Sequence, residues 1–130
     1  MTEYVADTHA LYWYLTASQQ LGPNALAAFR QGERGEAHIY IPSIVLAELY
    51  YLNVKIGAPL VFADEIARLV SADQFSFAPL TAEDILQFDE IAAIPEMHDR
   101  IIAGVAMTHN CPCITRDTLI TASGLIPVVW

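Results

Sequence analysis

Four carboxylates in this chain stand where secondary structure should change: Asp7, Glu48, Asp99 and Asp117. Asp99 and Asp117 adjoin Arg100 and Arg116, and the interval from Ile101 to Thr115 between them holds no Asp, Glu, Lys or Arg. Acids gathered in one place repel one another and lose hydration. Hard divalent cations relieve both costs, because magnesium and manganese take oxygen ligands, often a few carboxylates with water and phosphate oxygens. Such a centre readies a water for in-line attack on phosphorus and stabilises the leaving oxygen. The chemistry open to these four residues together is hydrolysis of a phosphodiester. Four acids in a chain holding 15 Asp and Glu do not establish it alone.

The elements that must position them read as follows. Residues 4–6 form a short buried strand ending at Asp7, and HALYWYLT after it is apolar enough for a helix. Leu21-Gly22-Pro23 stops that helix and opens a second, over about 24–34. HIYIP at 38–42 is a second strand closed by Pro42, and SIVLAELYYLNVK is a helix from 43 that Ser43 can cap. Val45, Leu49, Leu52 and Ile56 share one of its faces, with Glu48 about 100° from Leu49. Residues 60–72 give another helix, with Phe62, Ile66, Leu69 and Val70 as its apolar face. A weak strand at 75–80, a helix capped by Thr81 with Asp84 in a partial capping box, and a helix over about 98–109 follow. CPCIT is a strand whose Pro112 marks an edge or a start; residues 118–123 are a short helix, and LIPVVW is a last strand. Strands alternate with helices, so the expected fold class is α/β, a mostly parallel central sheet flanked by helices, in one domain over 1–130. In such a sheet the strand carboxyl ends share one edge, where sites form. All four acids sit at or near elements that reach that edge.

Each residue also has a plainer reading. Asp7 and Asp117 could be turn caps, Asp99 a favourable charge in a first helical turn, and Glu48 a solvated helix position. Thr8 reads first as a helix cap and second as support for the site. Thr115 could bond a ligating carboxylate, or be a strand threonine. His9 and His98 flank the candidate acids, although an oxygen-rich site needs no imidazole. Arg100 and Arg116 could hold a substrate phosphate or form ion pairs. The aromatics Tyr12, Trp13, Tyr14, Tyr50 and Tyr51 suit core and interface burial better than base stacking. Trp130 closes the final strand or frays. Cys111 and Cys113, one residue apart, suit neither a fold-spanning disulfide nor a zinc site and read as inert strand thiols.

The order and setting of the acids carry a resemblance. YVADTHALYWYL resembles the opening of a PIN domain, SIVLAELYYL its second motif with Glu48, DRIIAGVA its third with Asp99, and ITRD its fourth with Thr115 and Asp117. DTHALYWYL and HDRIIA together look most like the toxin branch of VapBC-type toxin–antitoxin pairs. The resemblance implies a PIN-like three-layer fold and an endoribonuclease using Mg²⁺ or Mn²⁺ at Asp7, Glu48, Asp99 and Asp117. Thr8, Thr115 and His98 would support them, and Arg100 or Arg116 would meet the phosphate. It also implies an RNA substrate, a cognate antitoxin that holds the enzyme inactive, and a homodimer. Members with a similar third motif often carry a further acid upstream; here the lead is PEMHD, with Glu96 and His98.

Composition bounds this reading. An apolar share of 55% with 16% charged residues describes a folded globule. The start MTEYVAD lacks a basic region, and polar residues interrupt the uncharged span 8–29, so a soluble cytoplasmic protein with no membrane segment is expected. The net charge of −9 argues against gripping nucleic acid by its backbone. Even two bound divalent ions would leave −5, so affinity for RNA would rest on the metals and a few arginines, and the acidity suits a basic antitoxin tail. A PIN fold that binds without catalysis, and a nuclease for another nucleic acid, stay open. Phosphoryl transfer through a covalent Asp7 does not fit, since DTHAL lacks a second acid two residues on and no distal lysine suits it.

Overall fold

The first strand, β1 (Thr2–Ala6), buries Tyr4, Val5 and Ala6 in succession, so both of its faces are covered. The computed structural model describes residues 1–130, and β1 lies at the centre of its sheet. The chain continues through α1 (Thr8–Leu15), α2 (Pro23–Glu33), β2 (Ala37–Pro42), α3 (Ser43–Lys55) and α4 (Phe62–Ser71). Then come β3 (Phe75–Ala78), α5 (Ala82–Leu86), a 3₁₀ turn over Phe88–Ile91, α6 (Met97–His109), β4 (Cys113–Ile114), α7 (Thr118–Ser123) and β5 (Val128–Val129). The five strands run in the order β3-β2-β1-β4-β5 and every pairing is parallel. No helix is long and apolar enough to cross a membrane.

The chain steps outward from β1 to β2 and β3, then returns across the sheet to β4 and steps outward again to β5. Right-handed crossovers place the helices of the two halves on opposite faces. The reversal falls between β1 and β4, where the following loops diverge and leave a crevice at the strand carboxyl ends. The central ladders carry four residue pairs each, β1 with β2 and β2 with β3, whereas β1 with β4 and β4 with β5 carry two each. Phe29, Leu11, Ile39, Ile41, Leu49, Ile102 and Ile114 are fully buried in one apolar core.

Several local readings shift. Ser43 is not a cap: β2 passes directly into α3, Pro42 occupies the cap position, and no side chain bonds the first-turn amides. Ile56 and Val70 are exposed at 53% and 66%, so the apolar faces of α3 and α4 are narrower than their spacing suggests. Glu65 takes a buried place on α4 and pairs with Arg68 at 3.2 Å. The partial capping box at Thr81 is complete, because the Asp84 carboxylate replaces the longer Glu or Gln and accepts from the Thr81 amide at 2.8 Å. β4 is only two residues long and lies inside the sheet, with Pro112 just before it. Both cysteines are free and buried; burial pushes the Cys111 thiol up to about 11 and holds the Cys113 thiol well above the ordinary thiol range.

Candidate active site

Asp7 follows β1 and caps α1, its Oδ1 accepting from the Ala10 amide at 2.9 Å. Asp117 follows β4 and caps α7, its Oδ1 accepting from the amides of Leu119 and Ile120, both at 2.9 Å. Both bonds of Asp117 fall on Oδ1, which leaves Oδ2 for other partners. Asp99 lies in the first turn of α6 and Glu48 in the second turn of α3. Helix amino termini favour negative charge, so the fold supplies three of these acids with a compensating field. The plain role as a cap and a place at the site coexist in Asp7 and Asp117.

The four acids line one cleft of about 520 Å³, together with Thr8, His9, Trp13, Leu52, Ile102, Arg116 and Thr118. It opens at the β1/β4 reversal, where an α/β sheet offers its natural crevice. Burial comes first among the causes that push the Asp99 carboxyl up to about 6, followed by the charges of Asp117, Glu96, Glu48 and Asp7. Asp7 is also raised, chiefly by burial, while the Thr115 hydroxyl and the Ala10 amide pull it back and Asp117 adds to the rise. The acids therefore repel one another across the cleft. That donor set, carboxylate oxygens at mutual electrostatic cost, fits a hard divalent cation. No three His, Cys, Asp or Glu side chains form a ready-made ion cage, so the set fits by the chemistry of its donors alone.

The surrounding residues are tied to the acids. Thr8 is buried and is not the cap of α1; its Oγ1 donates to Glu48 Oε1 at 2.8 Å, joining α1 to α3. Thr115, also buried, accepts from the Asp117 amide at 2.9 Å. His98 Nδ1 stands 3.4 Å from both Glu48 Oε2 and Glu96 Oε1. Glu96 caps α6 by accepting from the Asp99 amide at 2.9 Å and is not a lining residue. Arg100 is directed to the Ile94 carbonyl and does not line the cleft, whereas Arg116 does. Trp13, which the sequence assigns to the core, is nearly buried yet lines the cleft, with the Arg116 guanidinium 4.3 Å from its ring centre. The neighbourhood of Trp13 and residue 116 in space had no local sequence signal.

The sequence matches the PIN domain over residues 4–122. This chain belongs to the PIN domain family. Members of the family are generally nucleases and generally use divalent metal ions. Among solved structures, the chain resembles VapBC2 from Rickettsia felis bound to a promoter DNA fragment, at a TM-score of 0.72 and 17% identity over 98% of this chain and 97% of that one. It resembles FitAcB from Neisseria gonorrhoeae at a TM-score of 0.64 and 21% identity, over 96% and 95% of the two chains. The PIN domain endonuclease Utp24 follows at 0.54 and 17% identity, covering 97% of this chain and 82% of that one. At these identities the likeness is one of PIN fold. Comparison with curated protein sequences finds no match.

Proposed function

We propose that this PIN domain is a cytoplasmic Mg²⁺- or Mn²⁺-dependent endoribonuclease and the toxin of a toxin–antitoxin pair. The observation that carries the reading is the meeting of Asp7, Glu48, Asp99 and Asp117, from four separate elements, around one cleft in a nuclease-family fold. A bound divalent cation would supply a water of lowered pKa and charge stabilisation at the leaving oxygen. Asp7 and Asp117 would hold it with the oxygens their helix caps leave free, and Glu48 and Asp99 would complete the set. Thr8 fixes Glu48, Thr115 orders the turn at Asp117, and His98 bridges Glu48 to Glu96. Arg116, the one Lys or Arg lining the cleft, is the residue for a substrate phosphate.

The toxin assignment draws on the motif resemblance and on the VapBC and FitAB structures that share the fold. The surface charge favours a basic antitoxin segment. Exposed Tyr50, Tyr51, Val54 and Ile56 on and just after α3 favour a protein partner, the antitoxin or a second copy in a homodimer. The test is cleavage of tRNA, rRNA and mRNA in Mg²⁺ or Mn²⁺, with and without chelator. Asp7→Asn should abolish cleavage and leave the fold intact; full activity in that variant would reject the role of Asp7.

A second reading, a PIN domain that binds without cutting, is favoured by the charge of −9 and by the open spacing of the acids. Titration calorimetry separates the two: heat from Mn²⁺ binding that Asp99→Asn removes supports the nuclease, and no binding supports the silent fold.

A further inference from the structure

Arg116 shares the cleft with Asp7, Glu48, Asp99 and Asp117, yet the chain's ion pairs engage Arg30, Arg34, Arg68 and His98 and leave Arg116 out. An arginine beside several carboxylates would ordinarily collapse onto one of them. Here an aromatic seat holds it instead. The guanidinium carbon lies 4.3 Å from the Trp13 ring centre and 6.0 Å from that of Trp130. The two indoles meet edge to face, 5.7 Å apart at 64°. A guanidinium stacked on a ring keeps its N–H edge for oxygen acceptors such as phosphate.

The seat continues away from the cleft. Trp130 accepts from the Asn24 amide through its carbonyl at 3.2 Å. A methyl group at Gly22 would stand 2.6 Å from both the Trp130 carbonyl carbon and its indole Cδ1. The absence of a side chain at Gly22 is what lets Trp130 lie where it meets Trp13.

We propose that Trp13 and Trp130 are positioning residues that hold Arg116 off the carboxylates as the phosphate-binding cation of the cleft, and that Gly22 sets the place of Trp130. This rests on the nuclease reading and adds to it a line of contacts, Gly22–Trp130–Trp13–Arg116, reaching beyond the cleft. The side chains at its far end carry no charge and act through Arg116. RNA affinity should therefore respond to substitutions that never touch the substrate.

A double-substitution cycle tests it on RNA oligonucleotides of random sequence in Mg²⁺. Gly22→Ala, or Trp130→Ala if the first fails to fold, should raise KM by about fivefold, the value of one exposed cation–π contact, with kcat within about twofold. Trp130→Phe, which keeps an aromatic ring, should retain the wild-type KM. Adding the same substitution, Gly22→Ala or Trp130→Ala, to Arg116→Gln should cost nothing beyond Arg116→Gln alone, whereas independent damage would multiply. Arg34→Gln, an exposed arginine paired with Glu36, serves as the control that leaves KM unchanged. The chain's two tryptophans give a second readout, since both adjoin Arg116. Their fluorescence should change on adding RNA, and Arg116→Gln should remove the change. Multiplicative effects, an unmoved KM, or a fluorescence change that persists in Arg116→Gln would overturn the positioning role. Wild-type protein that cleaves no RNA would instead overturn the nuclease reading, and the fluorescence arm would still decide the role of the indoles; no response to RNA there overturns it too.

Discussion

The Asp99 carboxyl titrates near 6 in the folded chain and returns to its ordinary value near 3.8 on unfolding. Between those values the folded state binds more protons than the unfolded one, so stability falls as pH rises through the window and stays low above it. Solvent reaching the side chain limits the effect to on the order of 1 kcal/mol. In chelator, Asp99→Asn should melt with wild type at pH 4 and above it at pH 7, as thermal scans across that range will show. Thr8 makes a second prediction at this scale. Thr8→Val removes the 2.8 Å bond to Glu48 without changing shape. Supports of this kind are worth roughly 10–100-fold in metal affinity or activity. The Mn²⁺ concentration for half-maximal cleavage should rise by that order.

Among the elements, the join between α3 and α4 depends on one side chain. Asn53 is buried; its amide donates to the Leu60 carbonyl at 2.9 Å, and its oxygen accepts from the Leu60 amide at 3.0 Å. The two bonds close a turn that includes Gly57 at φ 93° and Ala58 at φ 56°. Asn53→Leu should cost roughly 1–3 kcal/mol in urea unfolding, because it leaves backbone groups of Leu60 unpaired. At this level the sequence is legible where a terminus has a local cause. Pro42 ends β2, the Thr81–Asp84 pair caps α5, and Gly22-Pro23 opens α2. It is silent where a distant surface decides. Nothing local distinguishes exposed Val70 from buried Leu69, or tells that β2 enters α3 without a linking residue to serve as cap. Asp7, Asp99 and Asp117 stand out because each ends or begins an element, whereas Glu48, inside α3, stands out only through the motif around it. The partners of Thr8 and Trp13 lie 40 and more residues away, and only folding brings them together.

For the molecule as a whole, charge and cation binding are linked. Four acids share a cleft in a chain of net charge −9, so a divalent ion that binds only the folded state should stabilise it. At a hundredfold excess over Kd the gain is about 2.7 kcal/mol, visible as a rise in melting temperature that Asp7→Asn diminishes. Nucleic-acid binding should weaken with salt by little, since one arginine lines the cleft and few phosphates are neutralised by side chains.

The unequal ladders of the sheet have a further consequence. Three strands are laced by four pairs at each seam, while β4 and β5 hang on two. Thinly laced regions detach first and on their own. In deuterated water, amides from Thr115 to Val129 should exchange well before those of β1 and β2. The bank of the cleft bearing Asp117 and Arg116 should thus open before the frame that holds Asp7, Glu48 and Asp99. On the proposed function, a chain opened along that margin would lack Asp117 and Arg116 at its cleft, and a partner clasping the margin would restore them.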